Sequence, residues 1–238
     1  MSTRVDFPAG SRTNSQPKFF FQKKPCFWLP KLSQRETSPR LMEYAKMKTK
    51  IKFVDVKKYG FIVEPRYFYW GWAKSPKILG RESVVKALIK TKRLLPMGYN
   101  FKIWDCRRSR KVNLAMLASF KRRIFDAYPK LSKKEKMKLV VRFGGPVPPP
   151  MKITRLDTHR NGGSFDLTIV NKNGDELYMG TDHDDLTEKA ITDFFETKKK
   201  LALIEEEAKK NRRLLKKTLN RVGFKNYAAE WWHWSFDK

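Results

Sequence analysis

The sequence is poor in cysteine, histidine and acid, and it has no long apolar run. Two cysteines, Cys26 and Cys106, lie far apart and exclude the disulfide framework of a small secreted domain. Histidine occurs three times, and two of the three fall in the two motifs described below. Asp and Glu number 24 against 53 Lys and Arg, a formal net charge of +29. That imbalance points to an anionic partner (nucleic acid, anionic lipid or wall polymer) or to a lysine-rich solvated surface. The basic residues are spread along the chain, which favours the solvated surface and makes no nucleic acid partner obligatory. No run approaches the ~20 apolar residues of a membrane-spanning helix. Phe19-Phe20-Phe21 is cut off by Lys23 and Lys24, and Cys26-Phe27-Trp28-Leu29 by Pro30, so no signal peptide is expected. The cytoplasm is the default location, with a periplasmic or wall-associated one as the alternative.

What is present is enough to fold. Hydrophobic residues make up 40% of the chain and aromatics 13%. The length suits one domain of about 180–190 residues plus an appendage. The expected division is a basic N-terminal extension over 1–50, an arm or a partly disordered stretch, and a catalytic domain over 51–238.

Local patterns predict alternating strands and helices. Ile51 to Trp72 reads as extended, interrupted at Glu64-Pro65. Ser83 to Leu95 reads as a helix capped by Ser83 and stopped by Pro96, with Val84, Val85, Leu88 and Leu95 near one face. Tyr99 to Trp104 alternates as a half-buried strand, and Val112, Met116, Phe120 and Ile124 form a helical stripe. Lys130 to Lys138 is a charged loop or helix start, and Gly144 to Pro150 is no regular helix. Ser164 to Val170 alternates as a strand, with Asp166 facing away from Phe165, Leu167 and Ile169. Asn171 to Gly174 is a hairpin turn. Leu186 to Val222 reads as mainly helical, broken at least once and ended by Gly223.

The chemistry concentrates in His159-Arg160-Asn161-Gly162-Gly163-Ser164-Phe165-Asp166 and in Glu230-Trp231-Trp232-His233. Two histidines and one aspartate, His159, Asp166 and His233, make an open zinc site with a fourth position for water. Glu230, three residues before His233, is the candidate base. On a regular strand Glu230 and His233 would point to opposite faces, so the site requires a bulge or turn at Glu230.

The H-x6-D run at 159–166 followed by E-W-W-H at 230–233 resembles the D-alanyl-D-alanine dipeptidases, a family of zinc peptidases; the likeness runs from about Ile51 to the C-terminus. The resemblance implies an α+β fold: a mostly antiparallel central sheet carrying one zinc ion per chain, flanked by helices. It implies hydrolysis of D-Ala-D-Ala in peptidoglycan metabolism, with a small D,D-dipeptide as substrate. By resemblance, Arg108 takes the arginine position of a D-G-Y-R-P pattern and stabilises the oxyanion. Here the segment reads Asp105-Cys106-Arg107-Arg108-Ser109, so Arg107 competes for that role and Cys106 is a small packing residue. Asp184 matches the aspartate of an M-G-T-x-F-D pattern that binds the substrate's ammonium group, with helix capping as its other reading. His183 stands where that pattern has phenylalanine and is expected to be solvated. Thr158, next to His159, is a candidate for substrate binding. Tyr59 is the nearest match to a tyrosine that holds the substrate amine. The alternatives are a related carboxypeptidase or endopeptidase on longer wall peptides, and a weakened relative that binds an anionic polymer. Oligomeric state leaves no mark in the sequence.

Overall fold

The structure is a computed structural model that describes residues 51–145 and 158–236. The N-terminal extension and the proline run Pro146–Pro150 lie outside the described residues. Among the described residues, seven strands and five α-helices follow one another in an α+β arrangement. The strands are β1 (Phe53–Asp55), β2 (Ile62–Val63), β3 (Leu79–Arg81), β4 (Asn100–Asp105), β5 (Ser164–Val170), β6 (Lys225–Tyr227) and β7 (Glu230–Ser235). The helices are α1 (Arg66–Tyr69), α2 (Glu82–Lys92), α3 (Arg110–Ala127), α4 (Lys133–Gly144) and α5 (Leu203–Val222).

Five strands form the main sheet in the order β2-β4-β5-β7-β6. Only the β2–β4 pair is parallel; the other three pairings are antiparallel. β1 and β3 make a separate antiparallel ribbon. β5 lies at the centre, and all seven of its residues are buried, so the sheet is covered on both faces. Phe165, Leu167 and Ile169 enter one core with Val84, Val85 and Leu88 of α2 and Leu215 and Leu219 of α5. A second core joins the α3 stripe Val112, Met116, Phe120 and Ile124 to Val140 and Phe143 of α4 and to Tyr67. The α3–α4 hairpin thereby becomes one wall of the cavity described below.

Several local expectations need correction. The residue capping α2 is Arg81, not Ser83, and it makes no side-chain cap bond. The helix grows directly out of the β1–β3 ribbon, so Arg81 is held in extended form by strand pairing opposite Phe53. Of the two readings of Lys130–Lys138, the helix start holds: Ser132 and Glu135 form a capping box. The stretch from Leu186 to Ala202 is not α-helical but carries two short 3-10 turns, Glu188–Ala190 and Phe194–Glu196. The cause lies in α5. The Arg212 guanidinium donates to the carbonyls of Met179, Lys189 and Ile191 at 2.7 Å each, taking acceptors that a helix would have used itself. Gly223, at φ 101°, ends α5 as expected. No helix among the described residues is long and apolar enough to cross a membrane.

Candidate metal centre and active site

Strand register brings the site together. Asp105 of β4 pairs with Asp166 of β5, and Asp166 pairs with His233 of β7. Cross-strand partners share a face, so the three side chains stand in a row on the side away from Phe165 and Leu167. His159 arrives from the turn before β5. That turn needs glycine at 162: its φ is +71°, and a Cβ there would meet the Phe53 ring at 2.7 Å.

Three atoms then form a nearly equilateral triangle. His159 Nε2 lies 3.0 Å from His233 Nδ1, and each lies 3.3 Å from Asp166 Oδ1. A tetrahedral zinc with bonds of about 2.0–2.1 Å has ligand–ligand edges of roughly 3.3 Å. Asp166 Oδ1 is buried and has no hydrogen-bond partner, so it is an acceptor waiting for a cation. The other ring nitrogens are oriented from behind. His159 Nδ1 sits 2.6 Å from the Cys106 carbonyl oxygen and therefore donates to it, so that once the ring is neutral the lone pair is on Nε2. His233 Nε2 faces Ser235 Oγ at 3.4 Å. The donor set fits zinc.

Charge in the site is strongly coupled. Burial and the Arg108 cation disfavour a charged His159, but Asp166 and Asp105 outweigh them and lift it to about 9. His233 is pushed down, chiefly by burial, with the His159 charge adding to the effect. Burial alone would raise the Asp166 carboxyl, yet the histidines around it hold it well below the usual range. Glu230 is driven well above its ordinary value by burial and by the nearby Asp166 and Asp184 anions.

The bulge that Glu230 requires is present. Along β6–β7, Asn226 pairs with Trp234, but the next residue, Tyr227, pairs with Glu230. Residues 231–233 are therefore looped out of that ladder. The Asn226 amide stitches the loop by donating to the carbonyls of both Glu230 and His233 at 3.0 Å. Glu230 Oε2 consequently stands 3.7 Å from His233 Nδ1 instead of on the opposite face.

Comparison with known families fits this geometry. The model of the family Peptidase_M15, described as D-ala-D-ala dipeptidase, matches residues 71–238. The chain belongs to that family. No curated protein matches it. Members of the D-ala-D-ala dipeptidase family are zinc-dependent metallopeptidases, and membership links this chain to cell-wall metabolism in general.

The arginine loop of this family member places Arg107 and Arg108 differently. Arg107 is exposed and stacks on Phe53 at 4.3 Å. Arg108 is buried at the site, with Nε 2.8 Å from Asp105 Oδ2 and Nη2 2.8 Å from Asp166 Oδ2. Among the described residues its Nη1 donates only to the Met116 sulfur, a weak acceptor. Cys106 is buried, and burial pushes its thiol well above the ordinary range, as befits a packing residue.

A cavity of about 330 Å³ opens over the triangle and is lined by Arg108, Thr158, His159, Asp184, Glu230 and His233, with an apolar wall of Met116, Phe120 and Phe143. Asp184 does not cap a helix; the next 3-10 turn starts at Glu188 behind Thr187. It is buried at φ +58°, a left-handed conformation that Asp tolerates better than most side chains. Burial raises its carboxyl. Its Oδ2 accepts a hydrogen bond from the Tyr67 hydroxyl at 3.1 Å.

Two residues escaped the sequence reading. The tyrosine at this site is Tyr67, not Tyr59, which packs against the main core instead. Tyr67 is one of several aromatics in Arg66–Trp72, and nothing local sets it apart. His183 is the larger correction. Its side chain is wholly buried, stacked on Trp104 with ring centroids 4.9 Å apart. An aromatic pocket assembled from distant parts of the chain replaces the solvent expected around it.

Proposed function

We propose that this chain is a zinc dipeptidase that hydrolyses D-alanyl-D-alanine, with 51–238 as its catalytic part and 1–50 as a basic extension. The observation that carries this reading is the triangle of His159 Nε2, Asp166 Oδ1 and His233 Nδ1, with Glu230 beside it and Asp184 across the same cavity. Those three side chains would hold the metal. When bound, zinc supplies a Lewis acid for the scissile carbonyl and makes water a nucleophile near neutral pH.

The chain's own groups do the rest. Glu230 takes a proton from the attacking water and passes it to the leaving amine as the C–N bond breaks. A new C–O bond forms at the carbonyl carbon, and the products are two D-alanines. Arg108 Nη1, the donor that its two carboxylates leave over, stabilises the negative charge on the carbonyl oxygen. Asp184, buried and backed by Tyr67, receives the substrate's ammonium group. Thr158 on the cavity rim contributes to the substrate side.

The test is release of free D-alanine from D-Ala-D-Ala by the purified chain, with and without a chelator and with zinc restored. Chelator-sensitive release that zinc restores is expected. An analogue with its amine acetylated should be rejected, because it offers Asp184 no cation. Turnover of the blocked analogue at an undiminished rate would move the assignment to a peptidase of longer wall peptides. No release of D-alanine from folded, zinc-loaded protein would end the dipeptidase reading.

A further inference from the structure

His183 is a costly choice for its position. Its side chain has no exposure, and neither ring nitrogen has a hydrogen-bond partner. A buried polar group left unmade costs about 1–3 kcal/mol, and a phenyl ring would fill the same space without that cost. Trp104 stacks on one side of the ring, Trp232 meets it edge-on at 5.6 Å, and Trp70 lies nearly parallel at 6.4 Å. Packing therefore explains an aromatic ring here but not a nitrogen.

The carboxylates explain the nitrogen. His183 Nε2 lies 3.4 Å from Asp184 Oδ1 and 3.6 Å from Asp166 Oδ2. These oxygens belong to two buried carboxylates serving opposite ends of the reaction, the metal side and the amine side. Arg108 Nη2 donates to the same Asp166 Oδ2 that His183 faces, and the Tyr67 hydroxyl donates to the other oxygen of Asp184, Oδ2. Nε2 is the ring nitrogen that faces both carboxylates, so a proton there meets acceptors.

We propose that His183 is a positioning residue whose Nε2–H, shared at 3.4 and 3.6 Å between Asp184 and Asp166 rather than hydrogen-bonded to either alone, bridges them electrostatically and fixes the metal ligand and the amine-binding carboxylate relative to each other. The Asp184 half of this inference rests on the dipeptidase reading; the Asp166 half does not. Outer-shell partners of metal ligands typically change metal affinity by about 10–100-fold when removed.

Two variants separate the donor from the shape. His183→Phe keeps the stacking and removes the donor; His183→Gln can return an N–H near the Nε2 position. Zinc affinity is measured by competition with a chromogenic chelator, which needs no substrate. H183F is expected to bind zinc about tenfold more weakly and to raise KM for D-Ala-D-Ala more than it lowers kcat, with H183Q recovering most of both. Wild-type zinc affinity in H183F would overturn the proposal, and so would equal damage in both variants, which would leave packing as the whole role. A third measurement needs no variant. Long-range proton–nitrogen correlation spectra of the metal-free native chain, with only three histidines to assign, report the tautomer directly. Nε2–H at His183 is expected, and Nδ1–H would refute the bridge. If wild type fails to release D-alanine, the dipeptidase reading falls, while the zinc and tautomer measurements still decide the role of His183.

Discussion

At the scale of single residues, protons and metal compete for the same atom. His159 in the metal-free protein stays protonated up to about pH 9, and a proton on Nε2 occupies the lone pair that zinc needs. Zinc uptake should therefore release close to one proton from His159 below that pH. Affinity should fall by about tenfold per unit as the pH drops from 9. Calorimetry in two buffers of different ionisation enthalpy would count the released protons; a count of zero would contradict the raised His159. Glu230 behaves differently, since it lies beside the triangle rather than in it. Glu230→Ala should keep one zinc per chain while losing about 10²–10⁴ in kcat, read by metal analysis and D-alanine release on the same sample. Candidates of this kind were legible because the chemistry demands particular side chains at particular spacings: His159, Asp166, Glu230 and His233 could be picked out so, whereas Arg108 was picked out by the family resemblance. Tyr67 and His183 were not legible. Their environments are assembled from β4, β7 and the turn at 180–185, and no local pattern records that.

At the scale of elements, the decisive object is the bulge in β7. Periodicity alone puts Glu230 and His233 on opposite faces, and the requirement for a bulge could be stated from that conflict. Its clamp could not be foreseen, because Asn226 lies on a different strand and closes the loop through two carbonyls. Asn226→Ala should leave both carbonyls short of a donor and let Glu230 drift. A misplacement near 1 Å can cost about 10²-fold in rate, so kcat should fall by about tenfold to a hundredfold while zinc stays bound. A variant with native kcat would show that the ladder on the β5 side holds the bulge unaided. The helical stripe of α3 and the strands β4 and β5 were readable because each buries one face or two in a regular way. The 186–202 segment was misread for a physical reason: its sequence is helix-compatible, but Arg212 captures its carbonyls.

At the scale of the whole molecule, charge is the unabsorbed fact. A dipeptide zwitterion does not require +29. Part of the charge is concentrated: residues 110–144, which contain α3 and α4, carry eleven Lys and Arg against two acids, Asp126 and Glu135. Self-repulsion of this size opposes compaction and is screened by salt. The melting temperature should therefore rise between roughly 20 and 300 mM salt, where the Debye length contracts to below about 10 Å. A fall over that range, followed by thermal unfolding, would mean that ion pairs such as Arg213–Glu196 outweigh the repulsion. The triangle has a consequence at this scale too. His159 and His233 are 74 residues apart in sequence, and a metal held by both is a cross-link across everything from β5 to β7. Closing a loop of that length in advance handicaps the unfolded chain by roughly 4 kcal/mol in chain-entropy terms. In a protein with only two cysteines, a chelator would do to the fold what a reductant does to a disulfide-bonded one.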